Sequence, residues 1–494
     1  MKLYNTMSGK EEDIAPAKRQ VKMPVNMYVC GVTPYAPCHI GHAMSYVIFD
    51  TLRRHLEFRG FQVRHIQNFT DIDDKIINRA NQEGVSYRVL ADRYIDEYKV
   101  QMERLNVRPP TVYALATDAM PKIIDVISGL IDKGYAYSSN GDVYFRVTKD
   151  DDYGKLSHRS LDSMIAGARI DVAEAKEHPM DFALWKAAKP GEPSWDSPWG
   201  QGRPGWHIEC TSICLEQLGD TLDIHGGGLD LVFPHHENEI AQSESFTGKV
   251  PFSRVWVHNG LLQMGAEKMS KSLGNLVTVS EALERYSVDA LRLFFLSSHY
   301  RSPLSYSPEG VASQERAAER LRHALSHDSP SSATELDPSP FEKSFIDAMD
   351  SDLNTPQALA ALFDLSREIN RAKDQGQSIK KAQGILRKLG GILGLTFQAK
   401  TLAENNQFLA PVSSVFNEMG GLLDASGHHK LAGWVKTHKD SPDLATLVET
   451  LLAIRRELRQ AKDYKLADAI RHKLTDAGIA VEDTRDGAIW KPRL

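Results

Sequence analysis

A chain of 494 residues, 41% hydrophobic and 25% charged, has room for several domains and a large buried core. A net charge of −6 excludes indiscriminate nucleic-acid binding over the whole surface and leaves local basic patches as the route to such a partner. Four cysteines exclude a disulfide scaffold and point to a reducing, cytoplasmic setting; no apolar run reaches the roughly 20 residues of a membrane span, and the polar, early-acidic start is not a signal peptide.

Met23 to Cys30 reads as a strand that ends in a turn at Gly31-Val32-Thr33-Pro34. After His39-Ile40-Gly41-His42, the apolar residues Ala43, Val47, Phe49, Leu52 and Leu56 recur at helical spacing up to Gly60. The head of such a helix presents free N–H groups and partial positive charge, a seat for phosphate. Phe61 to Phe69 alternates as a second strand, and Asp71-Ile72-Asp73-Asp74-Lys75 opens another helix. A βαβ unit of this kind predicts a parallel, doubly wound sheet.

From Pro109 to Pro204 the order loosens into a helix (Met120–Lys133), hairpin-like pieces (Asp142 to Thr148) and a Pro/Gly/Trp-rich loop, which reads as an insertion between two halves of a split nucleotide-binding fold. The sheet resumes at Leu222-Asp223-Ile224-His225, followed by Gly226-Gly227-Gly228 and a helix from about His235. A strand over Arg254 to His258 leads to Lys268-Met269-Ser270-Lys271-Ser272. Beyond a Ser/Pro-rich linker, Ser329 to Pro340, amphipathic helices over Phe341–Leu393 predict a bundle. Residues from Thr396 to Ser441 carry little signal, and Pro442 to Leu494 predicts a long helix, a second helix from Lys465 and a small β finish.

Cys30 stands nine residues before the histidine box; Cys210 closes Gly205-Trp206-His207-Ile208-Glu209-Cys210; His235 and Glu239 lie four apart, on one helical face. Two thiolates, an imidazole and a carboxylate make a zinc quartet, against the alternative of four unrelated core or surface residues. His236 reads as an outer-layer or surface residue, Cys38 and Cys214 as packing residues, with Cys214 the one substitute ligand. The histidine box alone could be a structural pair, and the lysine segment alone a solvated basic loop.

Together, in this order and separated by a sheet, the two boxes resemble the signatures of class I aminoacyl-tRNA synthetases. Gly205–Cys210, Phe233-Pro234-His235-His236-Glu237-Asn238-Glu239 and the Cys30–Thr33 turn are similar to the cysteinyl-tRNA synthetase family in particular. The resemblance implies that His39, His42, Lys268 and Lys271 stabilise charge as a carboxylate attacks the α-phosphate of ATP. It implies ATP contacts at His39, Gly41, His42, Asp230 and Lys271, with magnesium, and an amino-acid pocket at Gly31, Thr33, Thr70 and Trp206. One zinc ion per chain, on Cys30, Cys210, His235 and Glu239, would select the thiolate of L-cysteine and leave a serine hydroxyl unbound, so no editing domain is needed. Asp289-Ala290-Leu291-Arg292, Asp350–Pro356 and Gln460–Trp490 resemble the family's anticodon-binding parts, with Trp490 a candidate to stack on a base of tRNA(Cys). Two positions depart from the family pattern, Ala36 where Asp is common and Met44 where Arg is common.

The fold class expected is α/β: a split Rossmann-like parallel-sheet catalytic domain with an inserted connective region, an α-helical bundle and a small C-terminal module. The boundaries expected are 1–108 and 205–265 for the catalytic halves, 109–204 for the insertion, 266–327 for the lysine loop and stem-contact region, 328–395 for the anticodon-binding bundle, 396–441 for an insertion or linker and 442–494 for anticodon recognition. The function implied is a cytoplasmic, monomeric cysteine–tRNA ligase with tRNA(Cys), L-cysteine and ATP as partners and no membrane. Its rivals are a ligase that hands cysteine to an amino sugar, disfavoured by the more than 200 residues after Ser272, and a catalytically silent RNA-binding paralogue.

Overall fold

Five parallel strands form the central sheet: β1 (Val25–Val32), β2 (Val63–Phe69), β3 (Val112–Leu115), β4 (Leu222–Gly228) and β5 (Ser253–Asn259), in the spatial order β5-β4-β1-β2-β3. This is a computed structural model, and it describes residues 1–14, 24–167, 176–264, 267–268, 276–332, 334–399, 406–438, 444–484 and 487–492. The chain starts the sheet at β1, builds outward through β2 and β3, then returns to add β4 and β5 on the other side. The order therefore reverses between β1 and β4, where an open α/β sheet leaves a crevice beyond its strand ends.

Helix α1 (Ile40–Phe58) crosses from β1 to β2 and buries Ala43, Val47, Phe49, Leu52 and Leu56, the stripe read from the sequence. Each such side chain contributes about 1.5–3 kcal/mol when withdrawn from water. Gly226 permits this packing, because a Cβ there would run into the Phe49 ring. Gly31 does the same between β1 and β2, where a Cβ would strike the backbone carbonyl of Asn68.

The region expected to be purely an insertion instead supplies β3, paired in parallel with β2. Its four half-buried residues, just after Pro109-Pro110, are too short for a clear alternation. The rest of the insertion is a helix, Met120–Asp132, and a four-stranded antiparallel sheet of Ala136–Ser139, Asp142–Phe145, Phe182–Ala187 and Gly202–Pro204. Helix α2 (Trp206–Leu218) precedes β4, and helix α3 (Glu237–Thr247) lies between β4 and β5.

Helices Pro308–Ser326, Ser339–Asp350, Thr355–Asp374 and Lys380–Ile392 form the bundle of the first unit, which spans Met1–Leu283 and Val288–Phe397. The bundle is tied to α1 by a buried cluster. Arg292 places Nη2 2.6 Å from the Asp50 carboxylate, and its other donors reach the carbonyls of Leu105, Asn106 and Leu393. Arg54 shares Asp50 at 2.8 Å and also reaches Asn106. One carboxylate faces two guanidiniums, and carbonyls at helix ends absorb the surplus positive charge.

In the second unit, helices Asn406–Ala425, His429–His438, Leu444–Gln460 and Tyr464–Asp476 and the hairpin Ile479–Thr484 with Gly487–Pro492 share one core. Val412, Phe416 and Met419 thus pack with Leu447, Leu451 and Ile470. The stretch 396–441, expected as an insertion or linker, contributes two of these helices. Its glycines and the Pro411 inside the first helix mask the periodicity.

Candidate functional site

The crevice at the β1/β4 reversal gathers residues that lie far apart in sequence. Cys30 comes from the end of β1, Cys210 from α2, His235 from the turn Val232–His236 after β4, and Glu239 from the first turn of α3. All four are buried, and their donor atoms lie within 4.8 Å of one another. The two sulfurs are 4.0 Å apart, Cys30 Sγ is 3.6 Å from Glu239 Oε1, and His235 Nε2 is 3.1 Å from that oxygen. A tetrahedral ion with bonds of about 2.0–2.3 Å sets its donors about 3.3–3.8 Å apart. The quartet and its spacing fit zinc.

A second set shares two of these donors: Cys30 and Glu239 also group with His225 and His236. His236 Nε2 stands 3.3 Å from Cys30 Sγ, and His225 Nε2 stands 2.9 Å from Glu239 Oε2. Cys214, read from the sequence as a packing residue and the one substitute ligand, belongs to neither set; one turn further along α2, it is buried among apolar residues, as a packing residue. His207 Nδ1 meets His235 Nδ1 at 2.9 Å, and His236 Nδ1 meets His258 Nε2 at 2.7 Å. Sequence reasoning set His236 aside and did not single out His207, His225 or His258. For His207 and His236 the one sequence signal is adjacency to the ligand motifs, as in Trp206-His207 and His235-His236; His225 and His258 carry no such signal.

Electrostatics divide the two thiols. The hydrogen bond from Cys30 lowers Cys210 to about 6, while burial pushes Cys30 well above the usual thiol range. Burial opposes charge on His235 and Glu239, yet Cys210 and Glu239 raise the imidazole to about 10, and His225 and His235 lower the carboxyl to about 2. Charge is held here by mutual pairing in a dry site, the setting in which donors bind a metal as anions.

Trp206, 41% exposed, stacks on His235 with ring centroids 4.3 Å apart and so walls the quartet. Gly31 donates its N–H to Asn68 Oδ1 at 2.8 Å, Thr33 sits half-buried in the turn after β1, and Thr70 lies buried just past the end of β2. His39 caps α1, its Nδ1 accepting from the His42 N–H at 3.4 Å, and the two imidazoles stack with centroids 3.6 Å apart. Gly41 lies beneath the His39 ring, and Asp230 is exposed just beyond the end of β4.

The lysine box follows a strand that returns to this place. The backbone of Lys268 pairs with Gln263, while Lys271 lies outside the described residues. Beyond the box, Ile40 N–H donates to Val277 and Val279 N–H donates to Cys38, so residues 277–279 are joined to the histidine segment by backbone hydrogen bonds. Of the two departures, Met44 is buried on α1 and Ala36 half-buried. Trp490, the stacking candidate, packs half-buried on the core of the second unit.

A doubly wound sheet with a histidine-capped helix at its reversal, and with the stretch just beyond a lysine box bonded to that cap, is the catalytic core of a class I aminoacyl-tRNA synthetase. The family model described as tRNA synthetases class I (C) catalytic domain matches residues 16–316. The fold is also that of Mycobacterium tuberculosis methionyl-tRNA synthetase bound by methionyl-adenylate, at TM-score 0.55 and 16% identity over 75% of this chain and 89% of that one. The LeuRS–tRNA–LeuAMS complex of Agrobacterium radiobacter K84 matches at TM-score 0.54 and 12% identity over 76% of this chain and 84% of that one. Residues 344–398 match the DALR domain, and 441–490 match the cysteinyl-tRNA ligase anticodon binding domain. The cysteine–tRNA ligase of Dehalococcoides mccartyi (strain BAV1) is 51% identical over 99% of both chains, and that of Aquifex aeolicus is 45% identical over 100% of this chain and 99% of its own. The chain belongs to the cysteine–tRNA ligase family.

Proposed function

We propose that the chain joins L-cysteine to tRNA(Cys) in two steps, forming cysteinyl-adenylate from ATP and passing the cysteinyl group to a ribose hydroxyl of the terminal adenosine. The observation that carries this reading is the pairing of a sulfur-selective donor quartet with a phosphate-seating helix head at one sheet reversal. Cys30, Cys210, His235 and Glu239 would hold a zinc ion, which would supply a soft centre suited to a thiolate rather than a hydroxyl. Trp206 closes the apolar side of the pocket. His39 and His42, at the positive end of α1, face the charge that grows on the α-phosphate and the departing pyrophosphate, with Lys268 and Lys271 assigned the same task. Single preorganised donors of this kind contribute about 2.7–4 kcal/mol. Gly41 leaves the backbone open to the adenine, and Asp230 accepts from the ribose.

In this reading, residues 1–108 and 205–265 carry the chemistry, 109–204 connects them, 266–327 holds the lysine loop and stem contact, and 328–395 and 442–494 face the anticodon arm. No helix of the described residues is long and apolar enough to cross a membrane, and the four cysteines are free. The compartment proposed is the cytoplasm, and the state a monomer.

The test is cysteine-dependent ATP–pyrophosphate exchange, with serine as competitor and with a chelator, followed by charging of tRNA. Exchange with cysteine, none with serine, loss on chelation and charging of tRNA(Cys) are expected. No exchange would sink the ligase reading; exchange without charging would transfer the assignment to an amino-sugar acceptor.

A further inference from the structure

One loop of the insertion, Tyr153 to Arg159, lies against the element that carries His235 and Glu239. Three of its backbone N–H groups converge on the Glu237 carboxylate: Gly154 at 3.1 Å and Leu156 at 3.3 Å from Oε1, and Ser157 at 2.8 Å from Oε2. A backbone N–H can only donate, so both oxygens accept. Glu237 is 1% exposed, and a carboxylate is tolerated at that depth where donors of this kind surround it. The loop is held again on either side of this tie. The Tyr153 hydroxyl donates to Asn238 Oδ1, the Lys155 ammonium pairs with Glu244, and the Arg159 guanidinium lies 5.7 Å from the centre of the Phe233 ring. The loop is anchored in turn, since His158 Nε2 donates to the Thr6 carbonyl at 3.0 Å and the Thr6 N–H donates to Trp256 in β5.

We propose that Glu237 is a positioning residue that fastens this loop of the insertion to the first turn of α3, and thereby holds His235 and Glu239 at the spacing a metal ion needs. The inference rests on the zinc-site reading above and deepens it. Two residues advance a helix by about 200°, so Glu237 leaves α3 on the side away from Glu239. Glu239 faces the crevice while Glu237 faces the insertion.

His235 precedes α3 in a turn of interrupted backbone, where Phe233 is extended at φ −138° and ψ 132° between helical neighbours. Such a turn lacks a continuous ladder of helical hydrogen bonds, so outside contacts set its shape. The loop supplies them on both sides of His235, through Arg159 on Phe233 and through the N–H groups on Glu237. Gly154 makes the loop possible: its φ is +100°, and a Cβ there would lie 2.0 Å from the Arg159 carbonyl oxygen.

The experiment compares full-length wild type, Glu237→Gln, Gly154→Ala and the double variant. Each is loaded with cobalt(II) as a spectroscopic probe of the donor set, and zinc affinity is taken by competition against a chromogenic chelator. Glu237→Gln keeps the shape and turns one acceptor into an N–H donor that faces the donors of the loop. It should lower zinc affinity about tenfold, shift the visible ligand-field bands of bound cobalt, and raise the KM for cysteine in ATP–pyrophosphate exchange with the KM for ATP within about twofold. Gly154→Ala should do the same from the side of the loop. The double variant should lose no more than the larger single loss, because both changes cut one tie. Losses that add in the double variant, or a wild-type cobalt spectrum in Glu237→Gln, would overturn the proposal. Should either variant not fold, Tyr153→Phe deletes one hydroxyl of the same loop: a shifted cobalt spectrum supports the tie and an unchanged one overturns it. A metal-loaded wild type without exchange would refute the ligase reading and leave the metal readouts to judge the tie. A wild type that takes up neither metal would refute the zinc-site reading itself, and this inference with it.

Discussion

Removing Cys210 should empty the metal site, whereas removing His236 should only loosen it. The structure offers two overlapping donor sets, and both contain Cys30 and Glu239. Cys210→Ala breaks the set with His235 and leaves the set with His225 and His236 intact; His236→Ala does the reverse. Structural zinc is held by about 10–16 kcal/mol in small sites, so one donor of four carries about 3 kcal/mol, or more than about 100-fold in affinity. A residue acting from the outer layer costs about 10–100-fold. Cys210 is the thiol whose ionisation is eased, to about 6, so at neutral pH it presents its anionic form without giving up a proton. His236 is held well below the ordinary imidazole range by burial, then by His225 and His258, as suits a neutral partner of Cys30. The assay is zinc content after gel filtration, with affinity taken from competition against a chromogenic chelator. A Cys210→Ala protein that keeps its zinc beside a His236→Ala protein that loses it would refute this reasoning and move the ion to the histidine-rich set.

Arg292→Met should destabilise the first unit by about 3–5 kcal/mol, because it leaves buried carbonyls unpaired and reduces the partners of Asp50; an unchanged thermal midpoint would contradict the anchoring role of this cluster. Gly31→Ala should lower both zinc content and cysteine affinity, since the added methyl strikes the Asn68 carbonyl and forces β1 from β2; wild-type values for both would show that the strands can part without cost. His65 supplies a pH test. Burial holds its imidazole at about 3, below its ordinary 6.5, so the folded chain stays neutral there while the unfolded chain takes up a proton. The stability this gives is complete above about pH 6.5 and declines as the pH falls toward 3, by about 2 kcal/mol at about pH 5. His65→Leu should therefore lose less stability than wild type between about pH 7.5 and 5, measured as the difference in thermal midpoints; parallel losses would remove His65 from the account.

Much of this molecule is readable locally. The stripe of α1, the histidine box at its head and the four-residue step from His235 to Glu239 are short-range patterns, set by helical geometry over a few turns. The family resemblance of the ligand motifs rests on equally local runs. Edge strand β3 and the first two helices of the second unit were less legible, because four half-buried residues carry almost no alternation and Gly420-Gly421 with Pro411 interrupt helical spacing; the two later helices and the hairpin were readable.

What the chain determined by itself was the inventory: which residues could bind a thiolate or a phosphate, and in which order they come. Closure of the site belonged to the tertiary structure. Cys30 and Cys210 are 180 residues apart and meet only because the sheet reverses between β1 and β4. The same reversal buries His225 and His236 against Cys30 and Glu239, a juxtaposition that no spacing along the chain announces. Sequence periodicity encodes contacts within a few turns; contacts between distant segments are decided by which apolar faces can be buried together, and that is a property of the whole fold.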